Sequence, residues 1–271
     1  MIEILTVPFL RHIFFAGFLV AIGLSPLSVY VVLRRIVFAG AAVAEVASAA
    51  VALAVLFQLA PFPIALALTI LSFLALSRVA DSPRLPPEAL IGMLYAGGSA
   101  ASVLLITKAP RGEADILNIL FGNILTVPVS MLWMLVIVFV FLSLLQFLAS
   151  KEFLISAYDP DMGRALGISV GVWNMIFYAA VGLAVAVSIR VVGALLTFTM
   201  LVAPGASALY LTERLSRTFK IAIFIAVVSA IAGVAFSYQL DLPTGSTIVA
   251  FLVGFFMISF CIAHIRKGRT G

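Results

Sequence analysis

Apolar residues run along this chain in long, nearly unbroken blocks, not in the alternating or one-faced patterns of soluble strands and helices. The blocks fall at 13–33, 38–59, 62–80, 89–107, 124–148, 171–189, 191–211, 221–239 and 246–264. Each is long enough, at about 1.5 Å rise per residue, to cross a hydrocarbon core about 30 Å thick. A helix satisfies its own backbone hydrogen bonds, which is the condition for standing in lipid. The pattern therefore predicts an all-α membrane protein, a polytopic bundle of about nine transmembrane helices. It becomes eight if a weak segment at 108–127 merges or re-enters. The blocks 171–189 and 191–211 are too long together for one crossing, and Arg190, the only charge between them, marks the expected break.

Composition agrees. Hydrophobic residues make up 64% of the 271 residues and charged ones 10%, with a mean hydropathy of +1.28. Soluble domains carry about 25% charged residues, so lipid has to cover what this chain exposes. No polar stretch is long enough for a soluble domain, and residues 1–271 read as a single membrane domain. The first block is longer than the roughly 7–15 residues of a signal-peptide core and reads as a retained helix. One cysteine, Cys261, excludes an internal disulfide and a cysteine metal cluster.

The net charge of +5 does not point to nucleic acid, because no basic stripe with interleaved aromatics exists. It points to topology. With the N-terminus outside, the inside loops hold Arg34, Arg35, Arg78, Arg84, Lys151, Arg164, Arg214, Arg217, Lys220, Arg266, Lys267 and Arg269. The outside holds only Arg11, Lys108, Arg111 and Arg190. This positive-inside bias predicts a multi-pass cell (inner or plasma) membrane protein with its C-terminus in the cytoplasm. Two prolines, Pro26 and Pro204, fall inside predicted spans, where each should kink or break its helix. Broken helices often line transport pathways, which makes Pro204 a pathway candidate.

One loop and one span carry candidate chemistry. In Ala157–Ile168, AYDPDMGRALGI, Asp159 suits an N-cap and Pro160 the first helical position. Asp161 and Arg164 complement the helix dipole, and Gly167 can take the left-handed conformation that ends a helix. The segment 159–167 thus reads as a short capped helix in an inside loop, with Met162, Ala165 and Leu166 as a small apolar face. In the second span, Glu45 is a carboxylate at membrane depth, where a charge costs at least about 2.5–3.5 kcal/mol and generally faces the bundle interior or water. Ala41 and Ala49 share its face and leave room; Ala44, Ser48 and Ala52 form a neighbouring small stripe for helix contact. Glu45 reads either as an ion-path carboxylate or as a buried packing residue.

The loop segment closely resembles the coupling region of the membrane subunits of zinc and manganese ATP-binding-cassette importers: an aromatic, Asp-Pro, a few residues, Ala, a residue, Gly. Val31–Gly40 (VVLRRIVFAG), Glu113–Leu125 (EADILNILFGNIL), Val192–Ala208 (VVGALLTFTMLVAPGASA) and Leu242–Val249 (LPTGSTIV) also resemble this family, in its order. The resemblance implies an importer architecture of the vitamin-B12-permease kind. It implies a homodimer of two permeases in the lipid bilayer, cytoplasmic ATPase subunits beneath and an extracytoplasmic metal-binding protein above. Asp159, Pro160, Arg164, Ala165, Leu166 and Gly167 would couple the ATPase to the spans. The cargo would be a divalent metal ion (zinc, manganese or iron), with no cofactor held by this chain. ATP would sit on the partner subunit, since the chain has no GxxxxGK[ST] loop. Nothing marks the chain as an enzyme.

The chain departs from the family where the metal would be met. The family's second span shows Asp and His four residues apart; here Ala41 and Glu45 take those places. Imidazole suits zinc and other transition ions, while carboxylate suits harder ions such as manganese or magnesium. One carboxylate cannot complete a shell, so Ser48, Asn118, Asn123, backbone carbonyls, water or a second copy's Glu45 would have to contribute. A permease for a metal chelate or vitamin, and a proton-coupled secondary transporter using Glu45, stand as alternatives.

Overall fold

The structure, a computed structural model, describes residues 8–80, 87–108 and 129–267. Among these residues eleven helices follow in order: α1 Pro8–Leu33, α2 Ala39–Leu56, α3 Pro61–Ala80, α4 Pro87–Ile106, α5 Val129–Leu148, α6 Ser150–Tyr158, α7 Pro160–Ala165, α8 Val170–Val192, α9 Ala194–Leu211, α10 Leu215–Leu240 and α11 Thr244–Lys267. Among the described residues, nine of these are long and apolar enough to cross a membrane, all but α6 and α7. They coincide with the blocks expected from hydropathy. The segment at 108–127 on which the eight-span alternative turned lies outside the described residues, apart from Lys108, as do Asn118 and Asn123.

Three helices form the centre. In α1, Ala16, Val20, Leu24, Leu27 and Val31 repeat every three to four residues and are fully buried or nearly so. α8 is buried on almost every side, and α9 on most. Around them stand α4, α5 and α11, which bury about a fifth of their spans or less. α5 turns Trp133, Ile137, Val140, Phe141, Leu144 and Phe147 outward. An apolar face of that size would be an interaction or aggregation surface in water; on a membrane helix it is suited to lipid or to a second helix.

One sequence expectation is corrected and a second is narrowed. The break between the sixth and seventh spans lies at Gly193, not Arg190. Gly193 has φ +84°, a conformation open to glycine because it has no Cβ, whereas Arg190 completes the last turn of α8. Its guanidinium lies 4.4 Å over the Phe62 ring of α3. The prolines, expected to kink or break their helices, leave both unbroken: α1 continues through Pro26 and α9 through Pro204. Both lie beside the same helix crossing. A Cβ on Gly205, next to Pro204, would meet the Ser28 carbonyl oxygen of α1 at 2.5 Å. The lost backbone bonds are tolerated where neighbouring helices pack this closely.

The crossings also sort the charges. Tyr30 of α1 meets Phe153 of α6, Phe177 of α8 and Phe219 of α10, and Phe73 of α3 meets Tyr178 of α8. One end of the bundle, the basic end, therefore gathers Arg34, Arg78, Arg164, Arg214, Arg217 and Lys220. Arg190 and Lys108 belong to the other end.

Candidate functional site

α2 is half alanine because it is packed on several sides at once. Ala44, Ser48 and Ala52 are buried, as the small stripe requires, and the Ser48 hydroxyl donates to the Ala44 carbonyl of its own helix at 3.0 Å. The adjoining stripe, Ala41, Glu45 and Ala49, is only half-buried. α4 packs tightly on α2 at Glu45: a Cβ on Gly98 would lie 2.8 Å from the Val46 nitrogen and 3.1 Å from the Glu45 Cβ. The absent side chain lets α4 lean on the backbone that carries the carboxylate.

One turn from Glu45, Ala41 lines a cavity of about 550 Å³ with Arg35, Phe38, Glu88, Tyr95 and Phe198. α2, α4 and α9 thus enclose an open space at the position where the family resemblance leads one to expect an aspartate. Among the described residues, no three His, Cys, Asp or Glu side chains converge to hold a metal. Pro204 is buried on α9. α9 reaches α2 a turn earlier, where a Cβ on Gly40 would meet Leu201 at 3.1 Å.

At the basic end, α7 has the capped form written in its sequence. The Asp159 carboxylate accepts from the Met162 N–H at 2.9 Å, and Pro160 opens the helix. Gly167 sits at φ +77°. The Ile168 N–H returns to the Gly163 carbonyl (2.9 Å) and the Gly167 N–H to the Arg164 carbonyl (3.1 Å), the pair of bonds that closes a helix in a Schellman motif. Arg164 and Asp161 pair at 2.6 Å on the exposed side. Only Gly163 is buried, wedged against Ile155 and Val170. Met162 and Leu166 are exposed, 56% and 59%. The helix is held by its caps and by one glycine, with its apolar side chains pointing away from the bundle.

A sequence profile of the ABC 3 transport family matches residues 6–263. The chain belongs to that family. Among relatives, it is 30% identical over 258 residues to the manganese transport system membrane protein MntC of Halalkalibacterium halodurans, covering 95% of this chain and 88% of that one. In fold it is similar to a chain of the PsaBC complex from Streptococcus pneumoniae, solved with a Fab, with TM-score 0.82, 24% identity and coverage of 96% and 94%. It is also similar to an inward-facing transporter described as of the metal-chelate ABC type, with TM-score 0.74, 16% identity and coverage of 94% and 87%. The vitamin-B12-permease-like architecture expected from the sequence agrees with these likenesses.

This ABC 3 family chain is a multi-pass membrane protein. The structure brings Ala41 and Glu45 to one half-open face and keeps Ser48 and Pro204 in the packed interior. Arg34, read from the sequence as a topological charge and as part of Val31–Gly40, turns out to join several elements at the basic end. Its Nη1 donates to Asn174 Oδ1 of α8 at 2.5 Å and its Nη2 to Ser156 Oγ of α6 at 2.7 Å. Its guanidinium lies 4.2 Å over the Phe177 ring. No local signal shows these contacts, since the side chain's hydrogen-bond partners lie 119 to 140 residues away.

Proposed function

We propose that this chain is the membrane-spanning permease subunit of an importer in the inner membrane. It works as a homodimer and moves divalent metal ions, manganese foremost, into the cytoplasm. A separate cytoplasmic ATPase supplies the energy. The observation that carries the reading is α7: in a chain of the ABC 3 transport family, a short helix with both ends capped projects Met162 and Leu166 from the basic end, ready for a groove on a partner. The residues 159–167 would pass ATPase movement to the spans. An extracytoplasmic metal-binding protein would deliver the ion at the opposite end.

Glu45 would meet the cargo. Its stripe is the half-open face of α2, and two copies facing each other across a dimer axis would offer two carboxylates, with water or backbone carbonyls completing a shell. Carboxylate oxygen suits the harder manganese ion, and the imidazole that suits zinc is absent from α2, in keeping with the manganese relative. The test is uptake in vesicles containing the permease, its ATPase and its binding protein. Glu45→Gln should lower manganese uptake roughly tenfold or more, the scale typical of disturbing groups that serve a metal. Uptake and ion preference equal to wild type would remove Glu45 from the path. Failure of any ATPase to co-purify with the intact chain would remove the importer reading itself.

The cavity beside Ala41 favours a second reading, a permease for a metal chelate. Its volume of about 550 Å³ exceeds what a bare ion needs and falls within the range of small-molecule sites. Uptake of a chelate in preference to the free ion would decide for it.

A further inference from the structure

We propose that Arg34 is a positioning residue that ties the segment carrying α7 to α1, so that displacement of α7 reaches the bundle instead of being absorbed at its end. This rests on the reading of α7 as the ATPase-facing helix.

α7 cannot transmit force through its own surface, because its long side chains are exposed and only Gly163 is buried. What it moves is the chain on either side, α6 before it and α8 after it. Arg34 holds both. It directly follows α1, and its N–H donates to the Tyr30 carbonyl at 2.9 Å. Its fork reaches Ser156 on α6 and Asn174 on α8. The Phe153 carbonyl of α6 lies 3.5 Å from Nη2. One side chain therefore joins the element before α7, the element after it and the end of α1.

The seat of that side chain is stiff. Phe153 and Phe177 are packed edge to face at 5.7 Å, and Tyr30 stands 5.9 Å from each. Trp173 closes on Phe153 at 5.7 Å. Close-packed rings transmit displacement because they have little free volume to take it up. From there α1 runs to its crossing with α9 at Ser28 and Gly205, and α9 touches the helix of Glu45 at Gly40. Arginine suits the role and lysine does not: a planar fork can hold two acceptors and stack on a ring at once, while an ammonium is a point charge on a flexible stem.

A residue that only stabilised the fold would lower ATP hydrolysis and transport together. A residue that transmits movement would lower transport per ATP hydrolysed. The experiment measures both in proteoliposomes holding the permease, its ATPase and its binding protein, with manganese, zinc and iron(II) as probes. Arg34→Met should keep ATPase binding and hydrolysis within about twofold while uptake per ATP falls about tenfold, a coupling loss of ordinary size. Arg34→Lys should not restore it. Asn174→Leu and Ser156→Ala should move the ratio in the same direction by less. Lys220→Ala, at an exposed position of the same end, should leave it unchanged. An unchanged ratio in Arg34→Met, or equal loss of both activities, would overturn the inference. If Arg34→Met fails to fold, an unchanged ratio in the Asn174→Leu, Ser156→Ala double variant would overturn it instead. A wild-type chain that binds no ATPase, or moves none of the three ions, would overturn the proposed function and this inference with it. A wild-type chain that couples, beside an Arg34→Met chain that couples equally, would overturn this inference alone.

Discussion

Around Glu45 the decisive residues are the ones with least side chain. Gly98 lets α4 rest on the Glu45 backbone, and its added Cβ would fall 2.8 Å from the Val46 nitrogen. A backbone atom cannot rotate away, so Gly98→Ala has to push the two helices apart. Overpacking of this kind costs about 1–3 kcal/mol. Gly98→Ala should therefore lower the thermal unfolding temperature in detergent by several degrees, and Gly97→Ala should not, since a Cβ there meets nothing within 4 Å. Ala41 offers the opposite experiment. It lines the open cavity one turn from Glu45, so an added carboxylate has room. Ala41→Asp should lower the KM for manganese uptake several-fold; an unchanged or higher KM would show that this face does not meet the ion.

Among the elements, α7 tests how far a cap can decide a helix. Six residues are too few to be stable alone, and its N-terminal turn relies on the Asp159 bond to Met162. Loss of such a cap costs about 0.5–2 kcal/mol. Asp159→Ala should raise amide hydrogen exchange across 161–166 several-fold and weaken ATPase co-purification, leaving exchange in α8 and α9 as it was; Asp159→Asn should largely preserve both. This helix was readable because every signal for it is local, within nine residues. The nine spans were readable because hydropathy follows the solvent that a helix meets. The break at Gly193 was not, because a charge at a helix end and a glycine three residues on look alike in hydropathy, and only the positive φ separates them. That the helices run on unbroken through Pro26 and Pro204 was not legible for a related reason. The crossing at Ser28 and Gly205 that lets their helices continue joins segments far apart in sequence. Arg34 was legible as a charge at a membrane boundary, while its grip on α6 and α8 exists only after folding. For Glu45, depth and small neighbours were legible; the approach of α4 and the cavity at Ala41 were not.

For the whole molecule, the folded bundle fixes which charges share an end, and the positive-inside rule then says which side of the membrane that end faces. Leu166 on the exposed side of α7 and Lys108 beyond α4 lie at opposite ends, and both are exposed. Cys261, the single native cysteine, is also exposed and has to be replaced by serine first. On that background, a membrane-impermeant maleimide should label Lys108→Cys from outside intact right-side-out vesicles and reach Leu166→Cys only after they are opened. Inside-out vesicles should reverse the order. Labelling of Leu166→Cys from outside would put α7 where no cytoplasmic ATPase can touch it. Labelling of both positions from one side would mean an even number of crossings between them. Counting along the chain, α5 and whatever crosses between 109 and 128 lie between these positions, so the same experiment also fixes the parity of the segment outside the described residues. If only α5 crosses there, the two labels must fall on opposite sides, which is the nine-span arrangement.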